Sequence, residues 1–158
     1  MKVTTVGAGA FGKAFHLIAQ SGGDATLLGR RVEKGVSTDW SGSLAEAELI
    51  AMAVPAPATR DVLRQIRSHL RQSAILLMLA KGIEVKTGDL QSEIAKTVAP
   101  ALPVMVLTGP SFASEMLAGL PTAVTLASEE ATLGEKVQAR LAGPAFRPYL
   151  TNDVTGAQ

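Results

Sequence analysis

The chain has 158 residues, of which 47% are hydrophobic but only 4% aromatic, enough for one domain with an aliphatic core. Lys plus Arg (15) against Asp plus Glu (14) leaves a net charge of +1, which excludes a general attraction to nucleic acid or to an anionic membrane. The absence of cysteine excludes disulfides and thiolate metal sites and is compatible with a reducing compartment.

Lys2–Val6 reads as a first strand, and its early start leaves no room for a signal peptide. No apolar run reaches membrane-spanning length, so the expectation is a cytoplasmic chain without membrane insertion. Gly7-Ala8-Gly9-Ala10-Phe11-Gly12 follows directly. Gly7 permits a tight turn, Gly9 lets the backbone approach a pyrophosphate, and Gly12 lets helix and strand pack closely. Phe11, Ala14, Phe15, Ile18 and Ala19 then fall on one helical face. A glycine loop between strand and amphipathic helix is the context that a dinucleotide-binding fingerprint requires.

Ala25–Leu28 predicts a second strand that ends in Gly29-Arg30-Arg31. A site preferring NAD places Asp or Glu roughly 20 residues past the glycines. Two guanidiniums instead suit a 2′-phosphate through charge-assisted contacts. NADP is therefore the expected preference over NAD.

Leu49–Val54 predicts a third strand, and Val62, Leu63, Ile66 and Leu70 mark the next helical face. Arg60, Arg64, Arg67 and Arg71 form a basic stripe at helical spacing, read as a solvated face. Ala74–Leu79 predicts a fourth strand, with Lys81 just beyond its carboxyl end. Doubly wound sheets bind ligands outside those ends, and a lysine there meets a phosphate or substrate oxygen as a compact cation. Leu90, Ile94 and Val98 continue the helical pattern.

Val104–Leu107 predicts a fifth strand running to Gly109-Pro110-Ser111. Ser111 offers a hydroxyl at the start of a helix, where free backbone N–H groups suit an oxygen-rich or phosphorylated substrate. Residues 109–113 also resemble a hydrolase elbow, G-x-S-x-G. Ala113 replaces its last glycine, however, and His16 and His69 both precede the serine, so the hydrolase order cannot be met. Two isolated histidines without cysteine give no metal-ligand spacing, and no metal is expected. His16 reads as a helix residue and His69 as a surface one. Thr122–Leu126 predicts a sixth strand. Leu133, Val137 and Leu141 predict a last helix, with Ser128 as N-cap and Glu129 and Glu130 near its positive end. Thr151–Gln158 shows no apolar partner of its own and reads as a terminus or as the start of an absent segment.

Strands apolar on both faces, alternating with helices, predict a Rossmann-type doubly wound α/β fold over residues 1–150, mostly parallel with helices on both faces. VGAGAFGKA (Val6 to Ala14), LLGRR (Leu27 to Arg31), AVP (Ala53 to Pro55), AKGIE (Ala80 to Glu84) and LTGPSFASEMLAGLPTAV (Leu107 to Val124) together resemble the bacterial-type NAD(P)-dependent glycerol-3-phosphate dehydrogenases. The resemblance implies that Gly7, Gly9, Ala10, Phe11, Gly12, Arg30 and Arg31 line the cofactor, with Ala113 passing close to it. Lys81 faces cofactor and substrate, and Gly109 and Ser111 hold glycerol 3-phosphate or dihydroxyacetone phosphate. The implied reaction is hydride transfer between nicotinamide and C2 of that three-carbon phosphate, in glycerophospholipid synthesis. The family's proton-transfer lysine belongs to a helical second domain, towards which 151–158 leads, so no catalytic proton donor is named in this chain. A homodimer of the full-length protein is also implied.

Val32 to Leu49 is shorter than in typical members, and Pro55-Ala56-Pro57 stands where Pro-Ser is usual. Two further readings stay open on the residues alone: another NADP-dependent two-domain reductase, and a non-catalytic dinucleotide-binding module.

Overall fold

The computed structural model describes residues 1–158. Its seven strands are β1 (Val3–Val6), β2 (Ala25–Leu28), β3 (Leu49–Met52), β4 (Ile75–Met78), β5 (Val104–Thr108), β6 (Thr122–Ser128) and β7 (Phe146–Thr151). They form one sheet in the order β2-β1-β3-β4-β5-β6-β7. The first five run parallel, β6 is antiparallel to β5, and β7 is parallel to β6. β1 lies between β2 and β3, so the chain changes its direction of winding there. That is the topological switch point outside which α/β sheets hold their ligands.

Six α-helices cover the sheet: α1 (Ala10–Ser21), α2 (Trp40–Ala45), α3 (Thr59–Ile66), α4 (Gln91–Val98), α5 (Ala113–Leu117) and α6 (Ala131–Leu141). Alternation along the strands divides the core in two. Ile50 and Met52, Leu76 and Met78, and Val104 and Val106 pack with Leu44, Leu63 and Ile94 of α2, α3 and α4. Leu49 and Ala51, Ile75 and Leu77, and Met105 and Leu107 pack with Phe15, Met116 and Val137 of α1, α5 and α6. Strands buried on both faces need this double cover, which is why they read as continuous apolar runs.

Three expectations need correction. Ser128 does not cap the last helix: it ends β6, and its hydroxyl donates to the Glu130 carbonyl at 2.8 Å. Glu130 is the cap residue, without a side-chain bond to the helix. The tail is not without partners. Thr151 closes β7, and Val154 is buried in the α2–α3–α4 core. Gln158 accepts from the Ser92 amide at 2.9 Å and donates to the Ser92 hydroxyl at 2.7 Å. β7 itself was unforeseen. Phe146 and Pro148 face inward while Arg147 and Tyr149 face out, and Pro148 is tolerated because this strand is the edge of the sheet.

Nor is the arginine stripe uniformly solvated. Arg60 donates to both carboxylate oxygens of Glu84 and, at 2.6 Å, to Asp89, with only 13% of its side chain exposed. His69 is exposed, whereas His16 is buried in α1, where desolvation lowers its pKa. No helix is long and apolar enough to cross a membrane.

Candidate functional site

β1 ends in a turn that only glycine can make. Gly7 has φ +114°, and a Cβ there would lie 2.7 Å from the Ala53 carbonyl oxygen on β3's continuation. A Cβ on Gly12 would fall 1.8 Å from the Gly7 carbonyl oxygen, so α1 can lie against the turn only with glycine at that point. Gly9, the N-cap of α1, differs from both. A Cβ on it would meet nothing within 4 Å, and its backbone is extended at φ −72°. No side chain caps α1, so the first amides of the helix and its positive dipole end remain available to an anion. The open side at Gly9 and the uncapped helix together fit a pyrophosphate.

These residues line one wall of a cleft of about 710 Å³, a size suited to a cofactor or small ligand. Gly7, Gly9, Ala10 and Phe11 lie on that wall, Arg30 and Arg31 at one end, and Lys81 and Ser111 at the other. The bends near residue 9 and residue 110 therefore meet in a single crevice at the switch point. Gly12 stands behind the wall as packing, Gly109 is outside the lining and touches it through Lys81, and Ala113 starts α5 outside the lining. Trp40, Val62 and Glu33, which no motif singled out, also line the cleft. Trp40 and Val62 came there through the packing of α2 and α3, which leaves no periodic signature of a ligand.

At the far end, Lys81 donates from Nζ to the Gly109 carbonyl at 2.6 Å. This bond ties the loop after β4 to the loop after β5 and places the ammonium beside Ser111. Gln91 holds the same loop from below by donating to the Gly82 carbonyl at 3.0 Å. Arg60 braces it from the side. Hydrogen bonds from Arg60, and then from Thr87, draw the Glu84 carboxyl down to about 2, and Glu84 in turn holds the Arg60 guanidinium above its ordinary pKa. One detail departs from expectation. The Ser111 amide is not free, because it donates to the Gly109 carbonyl at 2.8 Å, and α5 begins two residues later with Phe112 as cap. The hydroxyl of Ser111, rather than its amide, is the group presented to the cleft.

A mostly parallel sheet with a glycine turn, an uncapped helix and a cleft at its switch point defines a Rossmann-type domain of the dinucleotide-binding class. Residues 28–134 match the family described as NAD-dependent glycerol-3-phosphate dehydrogenase N-terminus. The glycerol-3-phosphate dehydrogenase [NAD(P)+] of Zymomonas mobilis is 38% identical over 98% of this chain and 51% of that protein. Its counterpart from Brucella ovis is 34% identical over 99% of the chain and 56% of its own length. The crystal structure of glycerol-3-phosphate dehydrogenase from Coxiella burnetii superposes with a TM-score of 0.84 at 25% identity, covering 96% of this chain and 54% of that one. The chain belongs to the NAD-dependent glycerol-3-phosphate dehydrogenase N-terminal family, and it spans about half the length of the curated relatives it matches.

Proposed function

We propose that this chain is the cofactor-binding part of a cytoplasmic NAD(P)H-dependent enzyme interconverting sn-glycerol 3-phosphate and dihydroxyacetone phosphate for glycerophospholipid synthesis. The observation that carries this reading is the opening of the phosphate loop and of the Lys81–Ser111 corner onto one cleft. The dinucleotide supplies or accepts hydride at C2 of the three-carbon phosphate. Gly9, Ala10 and the following amides receive the pyrophosphate, while Arg30 and Arg31 meet a 2′-phosphate and make NADP the preferred form. Lys81, already a donor to a carbonyl, exchanges Gly109 for a substrate oxygen and stabilises the charge that develops there. The Gly109 backbone and the Ser111 hydroxyl hold the phosphoester. Proton transfer belongs to a lysine of a separate helical domain of the full-length enzyme, which is read as a homodimer.

Calorimetric titration with NADPH and NADH, followed by an absorbance assay with dihydroxyacetone phosphate, tests the proposal. The expected result is cofactor binding by the 158-residue chain with little or no turnover. Absence of heat with both nicotinamide forms overturns the dinucleotide assignment. Robust turnover places the proton donor inside this chain and overturns the two-domain part. The rival reading as another NADP-dependent reductase requires binding that is indifferent to a phosphate on the substrate.

A further inference from the structure

Beyond the arginine pair, one carboxylate lines the arginine end of the cleft, and it carries a lysine partner. This is Glu33, in the turn that follows Arg30 and Arg31. On the proposed reading of the cleft, a carboxylate at this end can accept from the ribose 2′-hydroxyl. Lys13 occupies the first turn of α1, and its amide donates to the Gly9 carbonyl at 2.9 Å. The Lys13 ammonium is paired with the Glu33 carboxylate. Both partners stay in contact with solvent, with 40% and 51% of their side chains exposed, so the pair can open without disturbing the core.

The two charges act in opposite senses on the two cofactors. A free Glu33 carboxylate accepts a hydrogen bond from the 2′-hydroxyl of NADH and repels the 2′-phosphate of NADPH. Bound to Lys13, it loses most of that repulsion, and Arg30 and Arg31 dominate the local field. We propose that Lys13 and Glu33 form a charge latch that sets the balance between NADPH and NADH: the closed pair silences a ribose-reading carboxylate. The latch rests on the reading of this cleft as a dinucleotide site. It adds two residues, one on the helix and one on the turn, to the arginine pair as determinants of specificity.

The test is the ratio of NADH to NADPH dissociation constants for the whole 158-residue chain and two variants. Lys13→Met frees the carboxylate, so the ratio falls by about threefold or more, as the strength of a solvent-exposed ion pair allows. Glu33→Gln releases the ammonium, so the ratio rises by a similar factor and NADPH binding becomes more salt-sensitive. Thermal midpoints matching the parent confirm that neither variant disturbs the fold. Ratios within twofold of the parent in both variants, or shifts in the same direction, overturn the latch while leaving the cleft assignment intact. Failure of the parent chain to bind either cofactor overturns both.

Discussion

Gly9 and Gly12 lie three positions apart in one motif, yet they are glycine for different reasons. Gly12 is packing: its missing Cβ would lie 1.8 Å from the Gly7 carbonyl oxygen, a backbone atom that cannot move aside. Gly9 has free space around it and an unstrained backbone, so nothing within the chain requires glycine there, whereas the proposed pyrophosphate does. Gly12→Ala is expected to destabilise the fold by about 3 kcal/mol or more, the upper end of overpacking. At this chain length that lowers the thermal midpoint by roughly 6 °C or more. Gly9→Ala is expected to leave the midpoint within about 2 °C of the parent, because a surface substitution without contacts changes stability by no more than about 0.5 kcal/mol. Its NADPH dissociation constant should rise by about tenfold, equivalent to about 1.4 kcal/mol lost at the phosphate cradle. Equal behaviour of the two variants in melting and in titration would remove the distinction. The motif itself was legible because the turn requires Gly7 and the close packing of α1 requires Gly12. Glu33 was not, because its role depends on Lys13, whose proximity only the fold creates.

At the scale of elements, six strands were readable as apolar runs and four helices as 3.6-residue patterns, since burial of whole faces leaves a periodic trace. β7 left almost none. Its inward positions are Phe146 and Pro148, and the exposed Arg147 and Tyr149 break the apolar run. α2 is only six residues long, too short for a period, and rests on Asp39 accepting from the Gly42 amide. The arginine stripe shows the reverse error: spacing identified a common face but not what lies opposite it. Arg60 meets Glu84 and Asp89 in the loop that carries Lys81, and so joins α3 to the Lys81 corner of the cleft. Glu84 is depressed from an ordinary 4.5 to about 2, so its contribution to stability is complete above about pH 4.5 and disappears as pH falls towards 2. Arg60→Gln should therefore melt below the parent at about pH 6, and the gap should close as the medium is acidified to about pH 2. Melting curves across that range check the sign. A gap that widens on acidification would show that Arg60 does not hold Glu84 ionised.

Across the whole molecule, the two cores are closed by segments distant in sequence. Arg140, near the end of α6, donates to the carbonyls of Met1, Ala19 and Asp24 at 2.8 to 2.9 Å, fastening the start of the chain, the end of α1 and the approach to β2. On the opposite face, Val154 lies in the core beside α2, α3 and α4, and Gln158 bonds the first turn of α4 through Ser92. Composition carried no hint of this closure, since Thr151–Gln158 holds a single buried aliphatic residue. The cleft lies at the switch point between β1 and β3, whereas the tail seats itself against α4, so stability and cofactor binding should separate. Removal of residues 152–158 exposes the Val154 site and leaves the Ser92 amide without its partner. Burial of one valine amounts to about 1.5 to 3 kcal/mol and the lost hydrogen bond to about 1 kcal/mol. The shortened chain is therefore expected to unfold at clearly lower urea concentration, with an unchanged dependence on denaturant. Its NADPH dissociation constant should stay within about twofold of the parent, as sites without shared partners act independently. An unchanged urea midpoint would show that the tail does not close the core, and loss of NADPH binding by the folded chain would show that the tail supports the cleft directly.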